Sequence, residues 1–129
     1  MHGAKRLLTS IDVDGPGSGM SISALLELEL VDGSRVTLLD DRGWSSSGGS
    51  SAWLCTSLQE LADTARTVVG PDEPSDGVSY EREDARHWKQ LAANAHARGV
   101  TIDAHDLAAL PHDVEISQEI RTRVTRAGR

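Results

Sequence analysis

Hydrophobic and polar positions alternate strictly from Leu26 to Leu30, with Leu26, Leu28 and Leu30 on one face and Glu27 and Glu29 on the other. That is the two-residue period of a half-buried strand, expected over residues 21–31. Asp32-Gly33 follows, and Val36 and Leu38 resume the apolar face over residues 35–39. Asp-Gly between two apolar runs predicts a hairpin closed by a two-residue type I′ turn, whose central residues both need positive φ. Upstream, residues 6–13 read as a first strand, broken by the Gly/Pro loop from Asp14 to Gly19. Residues 40–52 are rich in Gly and Ser and predict a flexible loop. Trp44 and Trp53 bracket it, and a further short strand fits residues 52–55.

The period then changes to that of a helix. Thr56…Gln59 and Ser57…Glu60 both have capping-box spacing. Leu58, Leu61, Ala62, Ala65, Val68 and Val69 make one apolar stripe, and Gly70-Pro71 stops it. An acidic, turn-rich linker covers residues 71–77. A second helix is predicted over residues 80–98, with Ser79 as cap and Glu81, Glu83 and Asp84 in its first turns, where the dipole favours acids. Ala85, Trp88, Leu91, Ala92 and Ala95 are expected to face inward, and Gly99 to end the helix. Residues 100–102 read as a short extended piece. Asp103 caps a short helix over residues 104–110, ended by Pro111; residues 114–116 are extended again, and Ser117 caps a last helix to about Val124. No long-period repeat is present, which excludes a solenoid.

Strands first and helices later predict an α+β fold. The expected architecture is an antiparallel β-meander of three to four strands, covered by two main helices, with short mixed C-terminal elements. It is expected to form a single domain over residues 1–129, the meander at about 5–55 and the helical part at about 56–129.

Composition narrows the function classes. The chain has 129 residues, a net charge of −7 and a pI near 5.1. No apolar run approaches the roughly 20 residues that span a bilayer, and the basic N-terminus is followed by no apolar stretch, so neither a membrane span nor a signal peptide is expected. The lone Cys55 has no disulfide partner within the chain, which suits a reducing cytoplasm. The acidic balance argues against nonspecific nucleic-acid binding, which needs a phosphate-neutralising surface. Arg121, Arg123, Arg126 and Arg129 form a basic tail, read as a solvated helix end that suits the dipole.

Candidate chemistry is sparse. Asp12 and Asp14, with Gly17, resemble the opening of a calcium loop, but Pro16 and Ser23 occupy ligand positions, so turn chemistry is the better reading. Four histidines, His87, His96, His105 and His112, lie in the second half. His87 and His96 are half a turn out of phase at about 100° per residue and are expected on opposite sides of the helix. His105 and His112 each precede an Asp on separate short elements. No metal site or cofactor is expected from these spacings. Cys55 lies at a helix entry, where a thiol pKa falls, but no thiol-enzyme signature flanks it. The serines of residues 45–51 form no nucleophile elbow, and the glycines at 15, 17 and 19 lack the cation of a phosphate cradle.

The expectation is therefore a non-enzymatic, protein-binding domain, concretely an immunity- or antitoxin-like protein that neutralises a basic toxin or enzyme by complementary charge. Trp44, Asp40, Asp41, Glu27, Glu29, Asp72 and Glu73 are the expected partner-binding residues, with Trp44 as an exposed anchor in the loop and the carboxylates forming one negative surface. The alternatives are a small hydrolase or metal enzyme using the second-half His and Asp residues, and a structural subunit of a larger assembly.

Overall fold

The computed structural model describes residues 3–14, 20–46, 56–71, 77 and 79–127. The expected strand at residues 52–55, with Trp53 and Cys55, and the acids Asp72 and Glu73 lie outside these residues. The elements run β1 (Ala4–Val13), β2 (Met20–Leu30), β3 (Arg35–Ser46), α1 (Leu58–Val68), α2 (Tyr80–Ala97), α3 (Ala104–Ala108), β4 (His112–Ile116) and α4 (Gln118–Ala127). The fold is α+β, an open four-stranded sheet in the order β3-β2-β1-β4 with four helices among the described residues.

Each helix starts where a small polar side chain satisfies a free N–H. Ser57 Oγ accepts from Glu60 N–H (3.1 Å), Ser79 Oγ from Arg82 N–H (3.3 Å), Asp103 Oδ1 from Asp106 N–H (2.8 Å) and Ser117 Oγ from Ile120 N–H (3.2 Å). Of the two candidate caps Thr56 and Ser57, Ser57 is the one used. Gly99 follows α2 with φ of 92°, the left-handed stop that its position predicts. The inward stripe of α2 is Glu83, His87, Leu91 and Ala95, whereas Ala85 is exposed. Trp88 is half-buried against the core, and its Nε1 donates to Asp84 Oδ1 at 3.2 Å.

Three expectations are corrected. The β2–β3 hairpin is closed by Leu30 N–H donating to the Ser34 carbonyl (2.8 Å), with Gly33 N–H donating to the Leu30 carbonyl (2.9 Å). The loop is thus three residues long, and within it Gly33 alone has positive φ, 89°. Asp32 stays at negative φ because its Oδ1 accepts from both the N–H (2.9 Å) and Oγ (2.6 Å) of Ser34. A turn of this kind needs one left-handed residue where type I′ needs two.

Second, β3 does not end at Leu39. It runs seven residues further to Ser46, because β2 begins at Met20 and offers a full edge: Ile22 pairs Trp44 and Met20 pairs Ser46. Two register shifts absorb the extra residues, one around Asp40 and Asp41 and the other at Leu38. Third, the sheet is mixed. β1 and β2 are antiparallel, as are β2 and β3, but β4 lies parallel to β1, with Leu7 opposite His112 and Ile11 opposite Ile116.

Leu61 and Ala65 of α1, Leu91 and Ala95 of α2, Leu107 of α3 and Ile120 of α4 all join one buried cluster with Leu7, Ile11, Ile22, Ala24, Leu26 and Leu28. All four helices therefore lie on one face of the sheet. Leu8 is also fully buried but stands outside that cluster. Strand alternation puts it on the opposite face, which no described helix covers.

Candidate functional site

The face that no described helix covers carries Arg6, Leu8, Ser10 and Asp12 from β1, Ser23, Leu25, Glu27 and Glu29 from β2, Arg35 and Thr37 from β3, and Asp113 and Glu115 from β4. Glu29 is its centre. Its carboxylate accepts Arg6 Nε at 3.0 Å, Arg6 Nη2 at 3.2 Å and Arg35 Nε at 3.3 Å, with Lys5 Nζ at 3.7 Å. The fork-like Arg6 contact is the strong, bidentate kind. It holds the Glu29 carboxyl below the ordinary carboxylate range, helped by the charges of Lys5 and Arg35 and opposed by desolvation. The same contacts raise the Arg6 guanidinium further.

The network continues across the sheet. Arg6 Nη1 donates to Asp113 Oδ2 at 2.9 Å and Arg35 Nη2 to Glu115 Oε1 at 3.2 Å, while Arg35 Nη1 lies 4.0 Å from Glu27 Oε1. β3 and β4 are the two edges of the sheet, three inter-strand steps of about 4.8 Å apart. The Arg35 and Glu115 side chains must therefore lie flat over β2 and β1 to meet. Leu8 sits between Glu27 on one side and Asp113 on the other, beneath this roof, which accounts for its zero exposure. A long arginine side chain that crosses a sheet in this way can cover apolar surface with its methylene stem while its charged head stays wet.

Beyond the roof, Ser10, Asp12, Ser23, Leu25, Glu115 and Ser117 line a shallow hollow. Asp12 is exposed, and its Oδ1 accepts the next residue's N–H. The face as a whole carries more carboxylates than cations. The cations gather around Glu29, so the acidic excess falls at the Asp12 end.

The described members of the expected binding set, Glu27, Glu29, Asp40, Asp41 and Trp44, are spread over different parts of the sheet. Glu27 and Glu29 share the open face, but Glu29 is 6% exposed and enclosed by cations, not presented to solvent. Asp40 is exposed and lines a hollow with Asn94 and Ala97 of α2 and Arg98 at its end. Asp41 is exposed and 3.7 Å from Arg42. Trp44 is not a loop-tip residue: it belongs to β3 and is half-buried against the core. The sequence reading missed Arg6, Arg35, Asp113 and Glu115. The alternation of Asp113 and Glu115 with Val114 and Ile116 is visible in the sequence, but their approach to Arg6 and Arg35 depends on the β1–β4 pairing.

The histidines are dispersed. His87 is buried on α2 with its ring edge-on to Trp88 (centroids 5.1 Å apart), His96 and His105 are exposed, and His112 is half-buried on β4. Among the described residues no group of three or more His, Cys, Asp or Glu side chains is placed to hold a metal ion. Among them, too, no helix is long and apolar enough to cross a membrane. Neither a protein-family model, nor a curated protein, nor a solved structure matches the chain.

Proposed function

We propose that the chain is a protein-binding domain that docks a basic partner on the open face of its sheet, in the manner of an immunity or antitoxin protein neutralising a basic enzyme. One observation carries this reading: the described helices occupy a single face, and the other carries an acid-rich set of side chains, most of them already held in ion pairs. Side chains ordered before docking lose little rotamer freedom on binding, and an excess of one sign steers an oppositely charged partner and fixes its register.

The strand edges favour the face as the docking surface. The β1–β4 ladder leaves the carbonyls of His112 and Ile116 pointing away from the sheet, and Arg66 Nε (3.3 Å) and Arg121 Nε (3.1 Å) bond them. On β3, Asn94 Nδ2 takes the Leu38 carbonyl at 2.9 Å. Such side-chain caps and the β3 register shifts discourage addition of a further strand. Immunity genes neighbour the genes of their targets, so the test uses the purified products of the genes adjacent to this one. Association is followed by stopped flow at rising salt. A basic product should bind with a rate that falls as salt rises and falls again in Asp12→Lys, while Asp40→Lys, in the hollow beside α2, leaves it near wild type. Absence of binding by either product, or a rate indifferent to both salt and Asp12→Lys, overturns the reading.

A further inference from the structure

We propose that His112 is an acid-operated latch: it holds the edge strand β4 against β1 and α1 at neutral pH and releases β4, with α4 behind it, on mild acidification. This rests on the fold and is independent of the docking reading. The His112 ring lies on the helical side of the sheet, with Nε2 2.6 Å from Oγ1 of the fully buried Thr9 of β1. From α1, Arg66 Nε donates to the His112 carbonyl at 3.3 Å, so one residue is gripped by two elements.

The charges around the ring are unequal. From α1 it faces Arg66, itself bridged to Asp63 at 3.3 Å. From β1 it meets Thr9 and Leu7, since Arg6 points to the other face. On its own strand Asp113 also points to that other face, toward Arg6. From α4, Arg121 is engaged at the far end of β4, on the Ile116 carbonyl. A proton added to the ring would create a cation beside a guanidinium in a half-dry site. Burial first, then the Arg66 charge, push the imidazole below its ordinary pKa, and Asp113 pulls only partly back.

The sign follows from linkage. In an opened β4 the ring is in water and takes a proton near the ordinary value of about 6.5. The closed form takes it only at lower pH. Between those points each drop in pH favours the open form. β4 is five residues long and pairs with a single neighbouring strand, so it can open without global unfolding. Opening would also carry Asp113 and Glu115 away from Arg6 and Arg35.

The test is amide hydrogen exchange on the full chain at pH 7.5 and 5.5, read as protection factors so that the intrinsic pH dependence cancels. Protection over residues 112–116 should fall several-fold at the lower pH while that of β2 holds. In His112→Gln, which cannot gain the proton and can still bond Thr9, the fall should vanish. Unchanged protection in the wild type, or an equal fall in the variant, overturns the latch. Should the variant not fold, an NMR titration of the wild-type His112 ring decides: a midpoint below that of a free histidine supports the latch, and one at or above it overturns it.

Discussion

Gly33 and Gly43 are both glycines in the β2–β3 hairpin, and they are needed for opposite reasons. Gly33 has φ of 89°, yet an added Cβ would meet nothing within 4 Å. Its constraint is backbone conformation alone. Gly43 has no such torsion, but a Cβ there would lie 2.5 Å from the Ile22 carbonyl oxygen, a backbone atom that cannot swing aside. Its constraint is space. Gly33→Val should therefore lose about 1–2 kcal/mol, the cost of a left-handed residue, and Gly33→Asn much less, since Asn tolerates that region. Gly43→Ala should lose about 1–3 kcal/mol, the cost of forcing a methyl into a packed site. Urea unfolding of the three variants measures both. A Gly43→Ala protein as stable as wild type would mean that β2 and β3 do not approach this closely at Ile22.

At the scale of elements, what the sequence made legible is what short-range contacts decide. The four caps at Ser57, Ser79, Asp103 and Ser117 each act within three residues of themselves. The hairpin was legible for the same reason, although its turn type depended on an Asp32–Ser34 contact that a Gly-based rule overlooks. The pairing of β4 with β1 was not legible, because residues 7 and 112 meet only after three helices have intervened and no turn residue announces a parallel neighbour. Nor was the extension of β3, whose Gly and Ser suggest a loop until β2 supplies a pairing edge. The roof over Leu8 inherits this blindness. Alternation placed Glu29 on the outer face correctly, but its enclosure needs Arg6 from β1 and Arg35 from β3. The roof has a measurable consequence. Leu8→Ala should cost about 2–5 kcal/mol, as for a core leucine, although the residue lies on the face without helices. A loss below about 1 kcal/mol, the range of ordinary surface changes, would show that water already reaches Leu8 and that the Arg35–Glu115 bridge does not close over it.

For the whole molecule, the same groups give stability a stepped dependence on acid. His112 is held neutral in the fold, its pKa lowered by burial and Arg66. The unfolded chain binds that proton more readily, so the contribution of His112 is complete above about 6.5 and is lost as pH falls through the lower, folded value. Glu29 and Asp32 act in a second window. Arg6 lowers the Glu29 carboxyl, and Ser34, through its hydroxyl and its N–H, lowers that of Asp32. Both are ionised and bonded in the fold, so their contribution is complete above the ordinary carboxyl range of about 4 and is lost below it. The thermal midpoint, followed from pH 8 to pH 3, should thus be flat at the top, fall once below about 6.5 and fall again below about 4. The two steps belong to different elements and separate by substitution. His112→Gln should flatten the first and leave the second. Glu29→Gln should leave the first and shrink the second, from a lower starting midpoint, because Arg6 and Arg35 lose their shared carboxylate. The cost at neutral pH and the reduced acid sensitivity must appear together in Glu29→Gln: a variant with a wild-type midpoint at pH 7 would show that the cations around Glu29 are satisfied by water, and that the ion-pair lattice of the open face contributes nothing to holding the four strands in register.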